Sequence, residues 1–424
     1  MQEDFLHYLW KFKKFEFLNL KTSNNEVIII KSTGTHNHNS GPDFFNAKLE
    51  IDGQIWAGNV EIHLKSSDWF VHNHETDTAY DNVILHVVWE DDVEVFRKDQ
   101  SKIPTVELKN YVDNKLLKSY QKLFSNQQKW INCENDFKGV DDFIITNWLE
   151  RLYFERLEQK SQQITLLLEQ SKNDWEAVLF KMLAKNFGLK VNGDGFLSLA
   201  NSIDFSIIRK LQSNNLHLEA LLFGQANFLA EEIEEAYYKN LQEEYIFLKQ
   251  KFQLQNQGVL PIQFFRLRPA NFPTIRLSQL ASIYSKHQNV FSKIIDANRK
   301  EDFYDLFNVE TSEFWKSHYT FTKTAKSSPK KISKAFVDLL LINTIILVKF
   351  AYAKQSGKDI NEEIQNLIQT IKSEKNSIVS KFQSLKPVAK TALDSQALIQ
   401  LKNTYCDKNK CLDCAVGSSL LTNK

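Results

Sequence analysis

The hydrophobic pattern of the chain changes near residue 130, and this change constrains the fold more than any other feature. Before it, short apolar runs rich in β-branched and aromatic residues alternate with turn signals, a pattern typical of strands. Four runs are predicted to be strands: Glu26–Lys31, Phe44–Ile51, Ile55–Leu64 and Val83–Trp89. Apolar residues at helical spacing predict an opening helix over Phe5–Phe12. After about residue 140 the pattern is helical for almost the whole remaining length.

These two patterns predict an α+β fold, with a small N-terminal α/β domain that has a mixed sheet and a large all-α domain after it. The predicted boundaries are residues 1–125 for the α/β domain, 126–142 for a linker and 143–424 for the helical domain. Seven Pro and twelve Gly are few for 424 residues, which favours long helices over a turn-rich all-β fold.

Neither secretion nor a membrane span is expected. The first ten residues, MQEDFLHYLW, lack a basic segment followed by an apolar run. The most apolar stretch, Phe336–Tyr352, is interrupted by Asp338, Asn343 and Lys349, which indicates a buried helix. Four cysteines are too few for a disulfide scaffold in a chain of this length. We therefore expect a cytoplasmic protein without a membrane partner.

The most informative stretch is 41–69, where Asp52–Gly53 separates two alternating runs and predicts a hairpin. In the second run the period of two places Glu61, His63 and Lys65 on one face of a strand and apolar residues on the other. Asp43 stands at the start of the partner strand.

The register of this hairpin decides what Asp43 faces. A two-residue turn pairs Ile51 with Gln54 and sets Asp43 opposite Ile62. A three-residue loop pairs Glu50 with Gln54 and sets Asp43 opposite Glu61. The second register gives the better apolar match near the turn, so we favour it, although a bulge at Gly58 would change the count again.

Two carboxylates and a nitrogen ligand on adjacent strands suit a hard divalent cation. Such an ion at Asp43 and Glu61 would polarise a phosphoryl oxygen, with Lys65 or His63 stabilising the developing charge. The alternative is that these residues are solvent-facing polar groups on a half-buried strand.

The pattern of Asp43 followed by Glu61-Ile62-His63 resembles the PD-(D/E)XK nuclease core over about the first 110 residues. The resemblance implies an αβββαβ core that acts on DNA with Mg²⁺ or Mn²⁺, with Asp43 and Glu61 as metal ligands. His63 then takes the family's Lys position, which is a departure, and Lys65 is the candidate replacement. Glu3 would match the acidic residue that some members place in the opening helix.

The whole chain is also similar to a bacterial family known only as domain of unknown function 2851. The segments that carry this likeness are GPDFFNAKLE, GNVEIHLKSSDW, HNHETDTAYDNVILHVVWEDD and FRLRPANFPTIRL. That similarity implies no activity.

Histidines are concentrated at the N-terminus, where seven of the ten lie within residues 1–86. The i, i+2 pairs His36/His38 and His72/His74 would each share a face if locally extended. They are candidates for further ligands or a proton-transfer group near Glu61, with Asp77 and Tyr80 orienting them, or else they are loop residues that bond the backbone. His86, inside an apolar run, is predicted to be a core residue.

The cysteines form a second candidate metal site. Cys406, Cys411 and Cys414 have the spacing C-x₄-C-x₂-C, and Cys133 is the only other cysteine. Four thiols suit one tetra-thiolate site with Zn²⁺ or an iron–sulfur cluster. The arrangement of one upstream and three C-terminal cysteines resembles the iron–sulfur staple of some RecB-type and Cas4-type nucleases. The alternative is unrelated reduced thiols.

The helical region offers candidates for nucleic-acid contact. Arg266, Arg268 and Arg276 flank a Pro-Ala-Asn-Phe-Pro turn, where Arg with interleaved Phe could contact a nucleic-acid backbone or stack on bases. The alternative is a structural helix start. Residues 321–424 hold 17 basic and 8 acidic residues, so phosphate contact is a minority option there beside a solvated helix surface.

The sequence thus predicts a metal-dependent nuclease-like protein that hydrolyses phosphodiesters in DNA. The first alternative is a non-catalytic scaffold for nucleic acid or protein that keeps a degenerate nuclease fold. The second is a His-rich metalloenzyme for a small molecule, which requires His72 or His74 to reach Glu61.

Overall fold

The structure, a computed structural model, describes residues 1–37, 39–125 and 129–422. It is 53% helical with 12% strand and has a mixed sheet near the N-terminus, so the predicted α+β class is confirmed. The chain divides into two compact units, the first made of Met1–Trp148 with Leu401–Lys424 and the second of Leu149–Gln400. This division groups the C-terminal segment with the sheet rather than with the helical region. The predicted domain boundaries stay a prediction.

The first unit is built on a mixed sheet in the order β1-β3-β4-β5-β6, with β2 paired to β3. Its strands are β1 Ile28–Ser32, β2 Thr35–His36, β3 Phe44–Ile51, β4 Gln54–Lys65, β5 Val83–Glu90 and β6 Thr105–Glu107. The pairs within β1-β3-β4 are antiparallel, whereas β4-β5 and β5-β6 are parallel. β4 is therefore the central strand, and six of its residues in succession, from Gly58 to His63, are buried.

The register of the β3–β4 hairpin corrects the favoured prediction. The turn has two residues, Asp52 and Gly53, both with positive φ as a type I′ turn requires, and Ile51 pairs with Gln54. A bulge in β3 then shifts the register by one residue between Ala47 and Phe44. Beyond the bulge Phe44 pairs with Val60, and continuing this register by one residue places Asp43 opposite Glu61. The expected pairing therefore results from the bulge and not from a three-residue loop.

Asn46 provides the extra residue of this bulge. Its φ is 57°, a left-handed conformation that asparagine tolerates better than most residues. Its backbone N–H donates to Asn59 Oδ1 at 3.3 Å. The bulge therefore lies on β3 and not at Gly58.

Three helices accompany the sheet within the N-terminal part of the first unit: α1 Glu3–Phe12, α2 Asp68–Val71 and α3 Asn114–Leu123. α1 buries an apolar face that includes Phe5, Leu6 and Trp10, and it ends where Lys13 adopts a left-handed conformation. Both α1 and α2 pack against β4. These two helices position the residues of the candidate site.

The second unit is helical around a core of fully buried aromatic side chains such as Phe180, Phe223 and Trp315. α4 begins in the first unit and runs from Asp142 to Gln170. The helices that follow are α5 Trp175–Phe187, α6 Leu189–Asn201, α7 Phe205–Leu211, α8 Asn215–Gln225, α9 Ala236–Phe252, α10 Pro273–Lys286, α11 Val290–Asp296, α12 Lys300–Leu306, α13 Lys334–Leu340, α14 Ile346–Gln355, α15 Asn361–Gln369, α16 Ser377–Leu385 and α17 Ala392–Gln400. A short hairpin, β7 His318–Thr320 and β8 Lys323–Thr324, interrupts them.

α13 and α14 join through a π-helical turn, Leu341–Ile345, to give one apolar helix over Lys334–Gln355. By length and composition alone it could cross a membrane, but 72% of its most apolar window is buried inside the structure, as in the core helix of many globular proteins. The prediction that this stretch forms a buried helix agrees with that burial.

The C-terminal segment of the first unit carries three of the four cysteines. It comprises a π-helical turn, Leu401–Cys406, followed by irregular chain to Cys414 and then by α18 Ala415–Thr422. Cys414 comes directly before α18, and Ser418 N–H donates to its carbonyl at 2.8 Å. The segment thus brings a cysteine-rich loop and a short helix to the first unit.

Candidate functional site

Asp43 and Glu61 are held against each other by reciprocal hydrogen bonds between β3 and β4. The backbone N–H of Asp43 donates to Glu61 Oε2 at 3.1 Å, and the backbone N–H of Ile62 donates to Asp43 Oδ2 at 2.9 Å. The carboxylates therefore share one face of the sheet, as the bulged register requires. The sequence prediction that they come together agrees with this geometry.

Burial distinguishes this face from an ordinary solvated strand. Glu61 is 4% exposed and His63 is 1% exposed, although both alternate with the apolar core residues Val60 and Ile62. Helix α1 and the segment after α2 cover the face that alternation would otherwise leave to water. The alternative of solvent-facing polar residues does not describe these two side chains.

Three imidazoles converge beside Glu61. Ligand atoms of His63, His72 and His74 all lie within 4.8 Å of one another. Glu61 Oε1 is 3.6 Å from His63 Nε2 and 3.4 Å from His74 Nε2. His74 thus reaches Glu61, as the alternative of a His-rich metalloenzyme requires.

Glu61 consequently connects two chemically different groups. Its Oε2 faces the backbone of Asp43, while its Oε1 faces the imidazoles of His63 and His74. One carboxylate oxygen therefore faces a backbone amide beside Asp43, and the other faces imidazole nitrogens. This arrangement can hold a cation with mixed oxygen and nitrogen ligands.

A second layer of contacts orients the imidazoles. His86, on β5 opposite Glu61, is fully buried, and its Nε2 lies 2.9 Å from His63 Nδ1. Tyr80 stacks on His74 with ring centroids 3.7 Å apart, and Trp69 packs edge-on against the same ring. Such neighbours fix the ring planes and leave His63 Nε2 directed toward the site. The prediction that His86 is a core residue agrees with its burial.

The electrostatics of the site follow from burial and from like charges placed together. Burial, and then the negative charge of Asp43, raise the pKa of Glu61 to about 9. Burial and the neighbouring imidazoles lower the pKa of His63 to about 3. His63 is therefore a neutral ring at pH 7 and cannot supply the positive charge of a lysine, although a neutral ring is the form that binds metal.

Glu3 and His7, one helical turn apart on α1, close the carboxylate side. His7 Nε2 lies 3.3 Å from Asp43 Oδ2. Burial opposes the charged form of His7, but the hydrogen bond and charge of Asp43 together with Glu3 and Glu61 raise its pKa overall. Burial and the charge of Asp43 raise the pKa of Glu3. Glu3 therefore lies at the edge of the site, as the resemblance implied.

The sequence analysis assigned no role to His7. Its spacing of four residues from Glu3 on a predicted helix was the available signal, because i and i+4 side chains share a helix face. The contact with Asp43 nevertheless depends on how α1 packs on the sheet.

Two other predicted residues lie farther out. Lys65 is exposed at the last residue of β4, on the same face as Glu61 but four residues, or roughly 13 Å of strand, beyond it. Asp77 accepts a hydrogen bond from Ala79 N at 2.9 Å and caps the 3₁₀ turn Thr78–Tyr80. Asp77 thus shapes the segment that carries His74 and Tyr80. His38 lies outside the described residues.

All four cysteines lie in the first unit. Cys133, Cys411 and Cys414 are buried and Cys406 is partly exposed, and all four are free thiols. Asn132, the residue before Cys133, donates to Cys411 Sγ at 3.3 Å. The structure therefore brings Cys133 to the segment of the other three across more than 270 residues of sequence.

The three arginines do not form one surface. Arg266 and Arg268 are exposed, whereas Arg276 is 6% exposed. The guanidinium of Arg276 donates to Gln279 Oε1 at 2.9 Å and to Asn271 Oδ1 at 2.6 Å, and it stacks over a phenylalanine ring. Because the side chain is buried and two of its nitrogens donate inside the second unit, Arg276 is a structural residue, and this position argues against its predicted nucleic-acid contact.

Together, fold and site define an α+β protein whose central strand carries a buried group of carboxylates and imidazoles suited to a metal ion. The chain belongs to the family described as Protein of unknown function (DUF2851), which matches residues 3–377. The chain matches no curated protein and no solved structure. The matched region includes the whole carboxylate–imidazole group and ends before Cys406.

Proposed function

We propose that this protein is a divalent-metal-dependent hydrolase that cleaves phosphodiesters in DNA, with its active site on β4. The observation that carries the proposal is the position of Glu61, between Asp43 on one side and the imidazoles of His63 and His74 on the other. Carboxyl groups and neutral imidazole rings that converge in a buried site gain most from a cation.

Asp43, Glu61, His63, His72 and His74 are the residues that would hold the ion. Carboxylates suit Mg²⁺ and Mn²⁺, while imidazoles suit softer transition metals, so the mixed set favours Mn²⁺ over Mg²⁺. Bound there, the cation would polarise a phosphoryl oxygen and lower the pKa of a nearby water.

His7 is the proton carrier in this proposal. Its Nε2 lies against Asp43, and its pKa is raised above the ordinary histidine value by the Asp43 hydrogen bond and charge, which favours the proton-bearing ring. It is thus placed to give that proton to a leaving oxygen on the carboxylate side. Neutral His63 does not replace the nuclease lysine, and exposed Lys65 remains the nearest lysine on this strand.

The test is cleavage of single-stranded and double-stranded DNA by the purified full chain with Mn²⁺ or Mg²⁺. Glu61→Gln keeps the shape of the side chain and removes its charge, so cleavage should fall by more than about 100-fold. Glu50→Gln on β3 is the matched control, because Glu50 pairs with Lys31 away from the site, and it should cleave like the wild type. Equal cleavage by wild type and Glu61→Gln would contradict the proposal.

A second candidate is a metalloenzyme that acts on a small molecule, and one observation favours it. His74 Nε2 lies 3.4 Å from Glu61 Oε1, which completes a three-imidazole, one-carboxylate set. Metal-dependent turnover of a small phosphoester or ester substrate, without cleavage of either form of DNA, would favour this candidate. Metal binding without any turnover would instead favour the non-catalytic scaffold.

A further inference from the structure

We propose that the four cysteines bind a thiophilic metal centre, a zinc ion or an iron–sulfur cluster, which fixes a lysine-bearing loop as the phosphate-binding wall of a cavity beside α1. The phosphate part of this inference rests on the proposed function, whereas the metal centre does not.

Hydrogen bonds join the four cysteines into one local structure. Asn132 donates from Nδ2 both to Cys411 Sγ at 3.3 Å and to Asn409 Oδ1 at 3.2 Å, which ties the Cys133 segment to the loop after Cys406. Within that loop Asn409 N–H donates to the carbonyl of Cys406 at 3.2 Å. Cys414 N–H donates to the carbonyl of Cys411 at 3.3 Å, so hydrogen bonds connect the segments of all four cysteines.

Cys414 lies where α18 meets the cysteine-rich loop. The first turn of α18 follows it, and Ser418 N–H donates to its carbonyl at 2.8 Å. A Cβ at Gly417 would lie 2.0 Å from the carbonyl oxygen of Cys411, so only glycine allows α18 to approach the loop this closely.

The same loop lines a cavity of about 470 Å³ within the first unit. Lys408 and Lys410, between Cys406 and Cys411 in sequence, form one wall, and Lys11 of α1 lines the cavity as well. His7 also lines it and contacts Asp43, so the cavity leads to the carboxylate side of the candidate site. These three lysines outnumber the two carboxylates that also line the cavity, Asp4 and Asp413, and an excess of lysines suits the phosphates of a nucleic-acid strand.

A bound metal would therefore act on the active site through the loop. With four thiolates on one centre, the loop is closed at both ends, and Lys408 and Lys410 have one position relative to α1. Without the metal, the loop is held by the hydrogen bonds above and by contacts within the segment, such as the ion pair of Lys402 with Asp407.

The first experiment measures metal in the full chain purified without oxygen. We expect about one zinc per chain, or two to four iron atoms with about equal acid-labile sulfide, and the two results distinguish the two centres. Cys406→Ser should lose this metal, and its partial exposure makes it the variant that best survives folding. His74→Ala, which alters only the imidazole group, should keep it. Absence of zinc, iron and sulfide, even after reconstitution with Zn²⁺ or with Fe²⁺ and sulfide, would overturn the proposal.

The second experiment tests the loop by binding of a single-stranded DNA oligonucleotide, with no cleavage required. The double variant Lys408→Gln/Lys410→Gln should keep the metal and flatten the dependence of log Kd on log salt by about 0.7 per lysine. Lys326→Gln/Lys358→Gln removes the same charge from two exposed lysines and should bind like the wild type. Unchanged binding by the first pair would overturn the role of the loop, whereas binding with a metal centre but no cleavage would overturn only the proposed function.

Discussion

The two units bury charged side chains in opposite ways. In the second unit, Glu219 is 1% exposed, and its two oxygens accept hydrogen bonds from Ser278 and from Tyr237 on neighbouring helices. In the first unit, Glu61 is 4% exposed, and its oxygens face the backbone N–H of Asp43 and two imidazoles, with the charge of Asp43 nearby. The partners of Glu219 are therefore neutral hydroxyl donors, whereas Glu61 lies among side chains that could bind the same cation.

Lys349 shows the same structural use of charge in the second unit. Its ammonium donates to the carbonyls of Ile294, Ile295 and Ala297 and to Asn298 Oδ1, at distances from 2.7 to 3.3 Å. These acceptors surround the end of α11, where carbonyl groups lack helical partners and a positive charge is favourable. Lys349 thus completes a helix terminus.

This difference distinguishes a ligand-binding site from a buried charged residue that stabilises the fold. A buried charge with complementary partners stabilises the fold, whereas buried groups of like kind that converge lower stability until a ligand binds. Perturbed pKa values occur in both units, so the arrangement of partners, and not the pKa shift, identifies the functional site.

The largest expected effect comes from exchanging the two glutamates for glutamine. Glu61→Gln should weaken Mn²⁺ binding by more than about 100-fold, because it removes the charge that joins the two sides of the site. Glu219→Gln should leave Mn²⁺ binding unchanged and lower the free energy of unfolding by about 1–3 kcal/mol. Calorimetric Mn²⁺ titration and urea unfolding of both variants check this. Equal effects on metal binding would remove the distinction between the units.

The next effect concerns Lys349. Lys349→Met keeps the length of the apolar stem and removes the ammonium, which leaves buried carbonyls without their donor, so the free energy of unfolding should fall by about 1–3 kcal/mol. Urea unfolding measures this fall, and Lys354→Met, three-fifths exposed on the same helix, is the control that should change little. An unchanged free energy of unfolding in Lys349→Met would show that the buried ammonium of Lys349 does not stabilise the fold.

A smaller effect is expected on the pH dependence of stability in the metal-free protein. The folded-state pKa of Glu61, about 9, lies above its ordinary value of 4.5, so its contribution is fully present below pH 4.5 and is lost as pH rises toward 9. Glu61→Gln has no such loss. The melting temperature of Glu61→Gln relative to that of the wild type should therefore rise between pH 5 and pH 8.5. A difference in melting temperature that stays constant over this range would contradict the prediction.

His63 should act on the acid side. Its folded-state pKa of about 3 lies below its ordinary value of 6.5, so the stability that it contributes is present above pH 6.5 and is lost as pH falls toward 3. His63→Gln should flatten this part of the melting curve. Scans of melting temperature from pH 7 to pH 4 measure the slope. The control is His217→Gln, a change at a partly exposed histidine of the second unit.

The smallest effect is expected for Lys65. Because Lys65 is exposed at the end of β4, Lys65→Gln should lower DNA cleavage by less than about tenfold, in the range of a distant charge rather than of a metal ligand. A fall as large as that of Glu61→Gln would show that Lys65 replaces the nuclease lysine directly.

Much of the first unit could be predicted from its sequence. The runs that became β3, β4 and β5 alternate or are mostly apolar over seven or more residues, and their bounds agree with the structure to within one residue at each end. The strands β2 and β6 have two and three residues, too few for a periodic signal. Their pairing depends on neighbours that are distant in sequence.

The candidate site was predicted less completely. The alternation of Glu61 and His63 was visible, but the predicted register of the turn was wrong. Asp43 nevertheless pairs with Glu61, because a bulge at Asn46 shifts the register by one residue, and such a bulge has no reliable sequence signal. The burial of this face could not be predicted either, since it depends on how α1 and the segment with His74 pack on β4. The contact of His7 with Asp43 has the same origin.

The central claim is that Glu61 joins carboxylate and imidazole ligands into one metal site, and titration of the metal-free full chain with Mn²⁺ tests it most directly. Mn²⁺ has little preference for thiolates, so it reports on this site and not on the cysteines. We expect saturable binding to the wild type with release of protons, because the raised pKa of Glu61 means that the ion must displace a proton. Binding should be lost in Glu61→Gln and kept in Glu50→Gln. Equal Mn²⁺ binding by wild type and Glu61→Gln, or no binding by either, would contradict the account.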